Sequence, residues 1–196
     1  MIVKNSKKYP SLTVIVPSYN SEATMGQCLR HVLAMKYPRK FEVIVVDDGS
    51  SDRTAEIARR FPVRMMERRQ NKGKAASLNE AIKSAKSELV ACCDSDTYPP
   101  KDLLMRSVPF TCEKNIGGMT FFITVNKPKT LWQKMQEMEY LFSFGAFPYL
   151  AAKFNSILVT PGPLTIYRKA ALRAIGGFDE NNITEDFEMG LKLHRH

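Results

Sequence analysis

The chain has 196 residues, 44% of them hydrophobic, and a formal net charge of +9. That length suits one domain or a large lobe, and that apolar content supports a sizeable core, which excludes a disordered chain. No apolar run approaches the about 20 residues of a membrane-spanning helix, and the polar, basic residues 1–10 do not read as a secretory signal.

In chain order, Leu12–Val16 predicts a first strand, followed by Pro17-Ser-Tyr-Asn20. Residues 22–35 carry Met25, Leu29, Val32 and Leu33 at helical spacing. Phe41–Val46 predicts a second strand that runs into Asp47-Asp-Gly-Ser50, and Asp52 is placed to cap a helix over Arg53–Phe61. Val63–Met66 is a weaker third strand. Lys74–Lys86 has apolar residues at positions 78, 81, 82 and 85 and predicts a helix. Glu88–Cys93 predicts a fourth strand, ending in Asp94-Ser-Asp96. Continuous apolar strands alternating with helices predict a parallel sheet covered on both faces. The second half reads as a strand over Met119–Val125, a helix over Leu131–Tyr140 holding the sole tryptophan, and an aromatic stretch over Phe142–Phe154. A strand over Leu164–Tyr167, a short helix over Lys169–Ile175, and a helix from Glu185 capped by Thr184 complete it.

The Asp94/Asp96 pair is the most informative chemistry. Strand side chains alternate faces, so i and i+2 would bring both carboxylates to one point. Like charges that close raise each other's pKa unless a cation lies between them. Mg²⁺ and Mn²⁺ take carboxylate oxygens and share a substrate's phosphates. The alternative is turn chemistry, since Asp-Ser-Asp-Thr before Pro99-Pro100 also suits a turn.

In a parallel sheet, ligands bind outside the carboxyl ends of the strands. That rule draws Pro17-Ser-Tyr-Asn20, Asp47-Asp48 and Asp94-Ser95-Asp96 to one edge. Acids after the second strand can accept hydrogen bonds from a nucleobase and ribose, and Tyr19 can stack on a base. Residues 71–79 place Lys72 and Lys74 at a helix start, where the amino terminus and the lysines both favour phosphate. Arg59, Arg60, Arg64, Arg68, Arg69, Lys72 and Lys74 crowd one stretch, which reads either as an anion-binding face or as a solvated one. It lacks interleaved aromatics, so it does not read as a nucleic-acid surface. Cys28, Cys92, Cys93 and Cys112 show no CxxC spacing and read as buried thiols of a reducing compartment. His31, His194 and His196 show no ligand spacing with the acids.

Taken in order, these motifs resemble glycosyltransferase family 2. The matching residues are Pro17–Asn20, Asp47–Ser50, Asn71–Asn79, Asp94–Asp96, Gly176-Gly-Phe-Asp-Glu180 and Thr184-Glu185-Asp186. The segment around Pro161-Gly162-Pro163 and the Thr-Glu-Asp triplet are similar to membrane-bound chitin, hyaluronan and poly-N-acetylglucosamine synthases. The resemblance implies a single GT-A domain with a mixed, mainly parallel sheet and helices on both faces. Residues 11–100 would bind the nucleotide sugar and 101–196 would form the acceptor side. It implies an inverting hexosyltransferase moving N-acetylglucosamine or glucose from a UDP-sugar to a glycan or lipid-linked acceptor. Pro17, Tyr19, Asn20, Asp47, Asp48, Lys72, Lys74, Asn79, Asp94 and Ser95 would serve the donor. Asp96 would hold Mn²⁺ or Mg²⁺, Asp186 would be the general base, and Gly162 and Glu185 would lie on the acceptor side. The synthases continue with a Gln-x-x-Arg-Trp motif and membrane helices, so the resemblance implies a piece of a longer protein at the cytoplasmic side of a membrane. With such a membrane region, the 142–154 aromatics read either as packing near it or as ordinary core.

Three rivals explain less. A haloacid-dehalogenase-type phosphatase wants Asp-x-Asp-x-Thr near the chain start, whereas Tyr98 stands at the motif's last position. A nucleotidyltransferase wants a Gly-rich loop after the first strand, and Pro17–Asn20 is not one. A basic binding module leaves the acids at three strand ends unexplained.

Overall fold

The computed structural model describes residues 9–111, 116–146, 163–182 and 185–195. Its centre is a six-stranded sheet in the order β3-β2-β1-β4-β6-β5. The strands are β1 (Leu12–Ser18), β2 (Glu42–Asp47), β3 (Arg64–Glu67), β4 (Leu89–Cys93), β5 (Gly118–Thr120) and β6 (Leu164–Arg168). β1 pairs in parallel with β2 and β4, and β2 with β3. β6 runs antiparallel to β4 and β5, so the sheet is mixed.

Every residue of β1 and β4 is buried, as their unbroken apolar runs require of strands covered on both sides. Pleating divides their side chains between two cores. Val14, Val16, Val45, Ala91 and Cys93 pack with Met25, Leu29 and Val32 of α1 (Glu22–Leu33) and Leu104 and Val108 of α4 (Leu103–Thr111). Ile15, Ile44, Val46, Val90 and Cys92 pack with Leu78, Ala81 and Ile82 of α3 (Lys74–Ser84). Leu172 of α6 (Lys169–Ala174) and Met189 of α7 (Glu185–Arg195) join that second core. Each large side chain so buried contributes on the order of 1.5–3 kcal/mol.

Some elements depart from their sequence signals. The predicted 53–61 helix is the shorter α2 (Thr54–Ala58). The 119–125 strand stops at Thr120, because its register pairs Thr120 with Thr165 near the start of β6 and Pro163 before it has no N–H to extend the ladder. α4 has no counterpart in the sequence reading, since it holds Pro109 and follows Pro99-Pro100. The carbonyl that Pro109 would deprive of its helical partner, that of Met105, accepts from the Tyr9 hydroxyl at 3.4 Å. α5 (Leu131–Tyr140) forms as predicted behind a capping box of Thr130 and Gln133, but none of its residues is buried and Trp132 is 77% exposed. A π-helical turn over Leu141–Ala146 follows it. The rest of the aromatic stretch, Cys112, Gly162, Thr184 and the Glu185 side chain lie outside what is described. Among the described residues no helix is long and apolar enough to cross a membrane.

Candidate active site

Two clefts open at the carboxyl ends of β1, β2 and β4, and they share an edge. The first, about 370 Å³, is lined by Pro17 and Ser18 at the end of β1, by Tyr19 and Ser21 just after it, by Asp48, and by Asn71, Gly73, Lys74 and Ser77 around the start of α3. Asp94, Ser95 and Asp96 close it. The second, about 770 Å³, runs from Tyr98 and Pro99 past Phe121, Phe122 and Tyr140 to Asp186. Lys74, Asp94 and Asp96 line both.

The shared edge is made by a turn, not by a strand's pleat. β4 ends at Cys93, and the Thr97 amide donates to the Asp94 carbonyl at 3.0 Å. The i, i+2 alternation expected of Asp94 and Asp96 therefore does not apply, and the turn brings both acids into the clefts instead. The Asp94 amide donates to the Pro163 carbonyl at 2.9 Å, and Lys74 Nζ lies 2.7 Å from Asp94 Oδ1. Ser95 Oγ meets Ser21 Oγ at 2.8 Å, tying this turn to the loop after β1. Asp96 is exposed.

The two acids at the end of β2 part company. The Asp47 carboxylate closes its own turn, accepting from the Ser50 amide at 3.3 Å and from the Ser50 hydroxyl, and it does not line the first cleft. Asp48 lines that cleft and accepts from the Gly73 amide at 2.7 Å and the Lys72 amide at 3.1 Å. Gly73 holds φ +92°, which favours glycine, and so turns the chain into α3. Lys72 contributes its amide here, and its exposed side chain does not line the cleft.

Two other expected donor residues lie elsewhere. Asn20 is a staple, taking the Ser51 amide on Oδ1 at 2.9 Å and giving its own amide to Ser50 Oγ at 2.9 Å. Asn79 faces the Gly176–Glu180 segment. Its Oδ1 accepts from the Phe178 amide at 3.0 Å, and its Nδ2 donates to the Phe178 carbonyl and to Glu180, both at 2.9 Å. Gly177 permits this approach, since a Cβ there would come within 2.7 Å of Asn79 Oδ1.

Asp186, in the first turn of α7, lines the second cleft, with Oδ1 accepting from the Phe187 amide at 2.8 Å. Met189 anchors α7 in the core.

Sequence reasoning missed several residues. Ser21 carried no pattern, Ser77 stood inside the 71–79 motif without being singled out, and His31, which shows no ligand spacing in sequence, lines the second cleft beside Tyr98 with ring centroids 5.5 Å apart. The basic stretch is largely neutralised. Arg59 pairs with Glu67, Arg60 with Glu56 and Arg64 with Glu42, all on exposed surface, so this run is mostly a solvated face. Burial, above all, pushes the Cys92 thiol up to about 12, so it stays protonated.

The donor set suits a hard cation. Asp94 and Asp96 offer carboxylate oxygens at one edge, and among the described residues no third His, Cys, Asp or Glu joins them in a metal-holding group. Two carboxylates with remaining positions left to water and substrate phosphate is the usual arrangement for Mg²⁺ and fits Mn²⁺.

The Glycosyl transferase family 2 profile matches residues 13–176. The chain belongs to glycosyltransferase family 2. Poly-beta-1,6-N-acetyl-D-glucosamine synthase of Staphylococcus epidermidis is 32% identical over 200 residues, covering 99% of this chain and 48% of that protein. The enzyme of the same name from Staphylococcus aureus strain COL is 30% identical, over 97% of this chain and 47% of its own. The chain thus spans about half the length of the curated relatives it matches. Among solved structures, the mannosyltransferase PcManGT from Pyrobaculum calidifontis, in complex with GDP-Man and Mn²⁺, superposes with a TM-score of 0.78 at 26% identity. That match covers 95% of this chain and 52% of the other. S. aureus TarS 1–349 in complex with UDP-GlcNAc superposes with a TM-score of 0.70 at 26% identity, over 93% of this chain and 53% of its own. The mixed sheet with helices on both faces is therefore the GT-A fold of this family's glycosyltransferases.

Proposed function

We propose that this family 2 domain binds a UDP-sugar in the first cleft and directs its sugar, N-acetylglucosamine or glucose, to a glycan or lipid-linked acceptor in the second, with inversion. The observation that carries the reading is the common edge of the clefts, where Lys74, Asp94 and Asp96 face both. A reaction that breaks a bond to a diphosphate and makes one to an acceptor needs its charge-handling groups at such a junction. The names of the relatives and the UDP-GlcNAc held by TarS support the donor, while the GDP-Man held by PcManGT marks the competing one.

Residues 11–100 would form the donor half and 101–196 the acceptor half. Tyr19 offers a ring to the nucleobase, Asp48 lies at the base and ribose end, and Lys74 meets the diphosphate. Asp94 orients the donor through its pairing with Lys74. Asp96, with Asp94 beside it, would hold the divalent cation, which when bound neutralises charge on the departing diphosphate. Asp186 takes the proton of the acceptor hydroxyl as that oxygen attacks the anomeric carbon, and UDP leaves from the opposite face. In this reading the whole protein works at the cytoplasmic side of a membrane, supported by the resemblance to membrane-bound synthases.

Calorimetric titration with UDP-GlcNAc, UDP-glucose and GDP-mannose, with and without Mn²⁺, tests the proposal. Tightest binding of a UDP-sugar, strengthened by Mn²⁺ in the native chain but not in Asp96→Ala, is expected. Preference for GDP-mannose would overturn the donor, and metal-independent binding unaffected by Asp96→Ala would overturn the metal site.

A further inference from the structure

Arg68 lies just past β3, outside the strand-end motifs, yet its guanidinium is built into the floor beside the first cleft. Its side chain is 13% exposed, whereas Arg59, Arg60 and Arg64 pair at exposures of 41–68%. One terminal nitrogen donates to Asp48 Oδ1 at 3.0 Å and to Ser77 Oγ at 3.2 Å. The other donates to the Ala76 carbonyl at 2.9 Å and to Glu80 Oε2 at 2.5 Å, and Nε reaches the same Glu80 oxygen at 2.9 Å. The Arg68 amide donates to the Asp47 carbonyl at 2.9 Å, which fixes the backbone from which the fork reaches out.

Asp48, only 3% exposed, is surrounded by this fork and by one loop. Oδ1 accepts from Arg68 and from the Lys72 amide, and Oδ2 accepts from the Lys72 and Gly73 amides. Gly73 opens α3, and the next residue is Lys74, which pairs with Asp94 at the junction of the clefts. A continuous set of contacts thus runs from Arg68 through Asp48 and the loop amides to the diphosphate end of the site. Without the guanidinium the buried Asp48 carboxylate loses its charged partner and can turn away, which removes acceptors from the two amides. Burial lowers the Arg68 pKa, but its hydrogen bonds to Glu80 and Asp48 outweigh that and keep it above its ordinary value, so the cation persists.

We propose that Arg68 is a positioning residue for nucleotide-diphosphate binding, holding the Asp48 carboxylate and, through it, the Lys72–Gly73 loop that presents Lys74. The proposal rests on the nucleotide-sugar reading above and adds to it a residue that touches no substrate. A lysine cannot replace it fully, because a single ammonium lacks the planar fork that serves Asp48, Ser77, Ala76 and Glu80 together.

The test is titration of the 196-residue chain with UDP, for the native sequence, Arg68→Lys, Arg68→Met, Asp48→Asn and the Arg68→Met/Asp48→Asn pair. Amide exchange at Lys72 and Gly73 is followed in parallel. Arg68→Met is expected to weaken UDP by about tenfold, the scale of one charge-assisted hydrogen bond, with Arg68→Lys in between. Exchange should speed at Lys72 and Gly73, and the double variant should bind UDP as Asp48→Asn does. Losses that simply add would overturn the proposal. If Arg68→Met does not fold, Arg68→Lys decides: native UDP affinity with native exchange at the two amides overturns it. A native chain that binds none of UDP, GDP and dTDP would overturn the nucleotide-sugar reading and this inference together, whereas UDP binding indifferent to Arg68 overturns this inference alone.

Discussion

Lys74 and Asp94 form an ion pair of 2.7 Å across the line where the two clefts meet. About a third of the lysine side chain and a quarter of the aspartate's are exposed (35% and 27%), so solvent screens the pair and its net stability is at most about 1 kcal/mol. Its value lies in placing an ammonium where a donor's diphosphate would arrive. Lys74→Met should leave the melting temperature within a few degrees of the native chain's while lowering UDP affinity by about tenfold or more. Uridine, which lacks the diphosphate, should lose little. Calorimetry with both ligands reads the difference, and an equal loss for uridine would move Lys74 to the nucleoside.

Asn79 should behave in the opposite way. Its amide makes three hydrogen bonds to Phe178 and Glu180, segments about a hundred residues away, and none to the cleft loops. Asn79→Ala leaves the Phe178 amide and carbonyl without their partner, a loss of about 2–4 kcal/mol. Urea unfolding should show that loss with an unchanged slope, while UDP affinity stays near that of the native chain. Weak UDP binding at full stability would return Asn79 to the donor site.

The contrast between these two residues shows how far the sequence could be read. Apolar runs at 12–16, 41–46 and 88–93 announced the parallel core because each is buried on both faces, and burial is what hydrophobicity encodes. The strand ends followed, since topology alone sends them to one edge. What side chains do at that edge was less legible. Lys74 and Asn79 stand in one motif, yet helical geometry turns the first to the cleft and the second to Gly177. Asp47 and Asp48 are adjacent, and one closes a turn while the other anchors a loop. α4 stayed hidden because Pro109 reads as a breaker unless Tyr9, nearly a hundred residues earlier, is known to take up the orphaned carbonyl. Antiparallel β6 carries no local signal, as direction belongs to the connection and not to the strand.

Asp52 links the starts of α1 and α2 and gives stability a definite acid limb. Burial alone would raise its carboxyl, but hydrogen bonds from the Thr54 hydroxyl and from the Glu22 and Thr54 amides outweigh that and hold it below its ordinary value of 3.8. A depressed folded value contributes stability that is fully present above 3.8 and is lost as pH falls through the folded value. Asp52→Asn should therefore be less stable than the native chain at pH 7. The gap should close as the pH drops below 3.8. Thermal melts of both proteins from pH 7 to pH 2.5 measure it, and a gap that does not change with pH would mean that charge at Asp52 plays no part.

On the proposed reading, Asp186 would separate chemistry from binding. It lies on the second cleft, on a helix that Met189 seats in the core against the α3 side of the sheet, so its position is set by packing and not by the donor. A base placed there would act on the acceptor hydroxyl of the proposed reaction and would have no reason to touch the nucleotide. Asp186→Asn keeps the shape and the hydrogen bond from the Phe187 amide but cannot take a proton. In the full-length protein it should lower sugar transfer by about 10²–10⁴-fold, the usual contribution of general-base catalysis. UDP affinity and the melting temperature should remain native. Radiolabelled sugar transfer paired with UDP titration on the same preparation gives both numbers. Joint loss of transfer and UDP binding would make Asp186 a structural acid of α7, and another group would have to receive the proton.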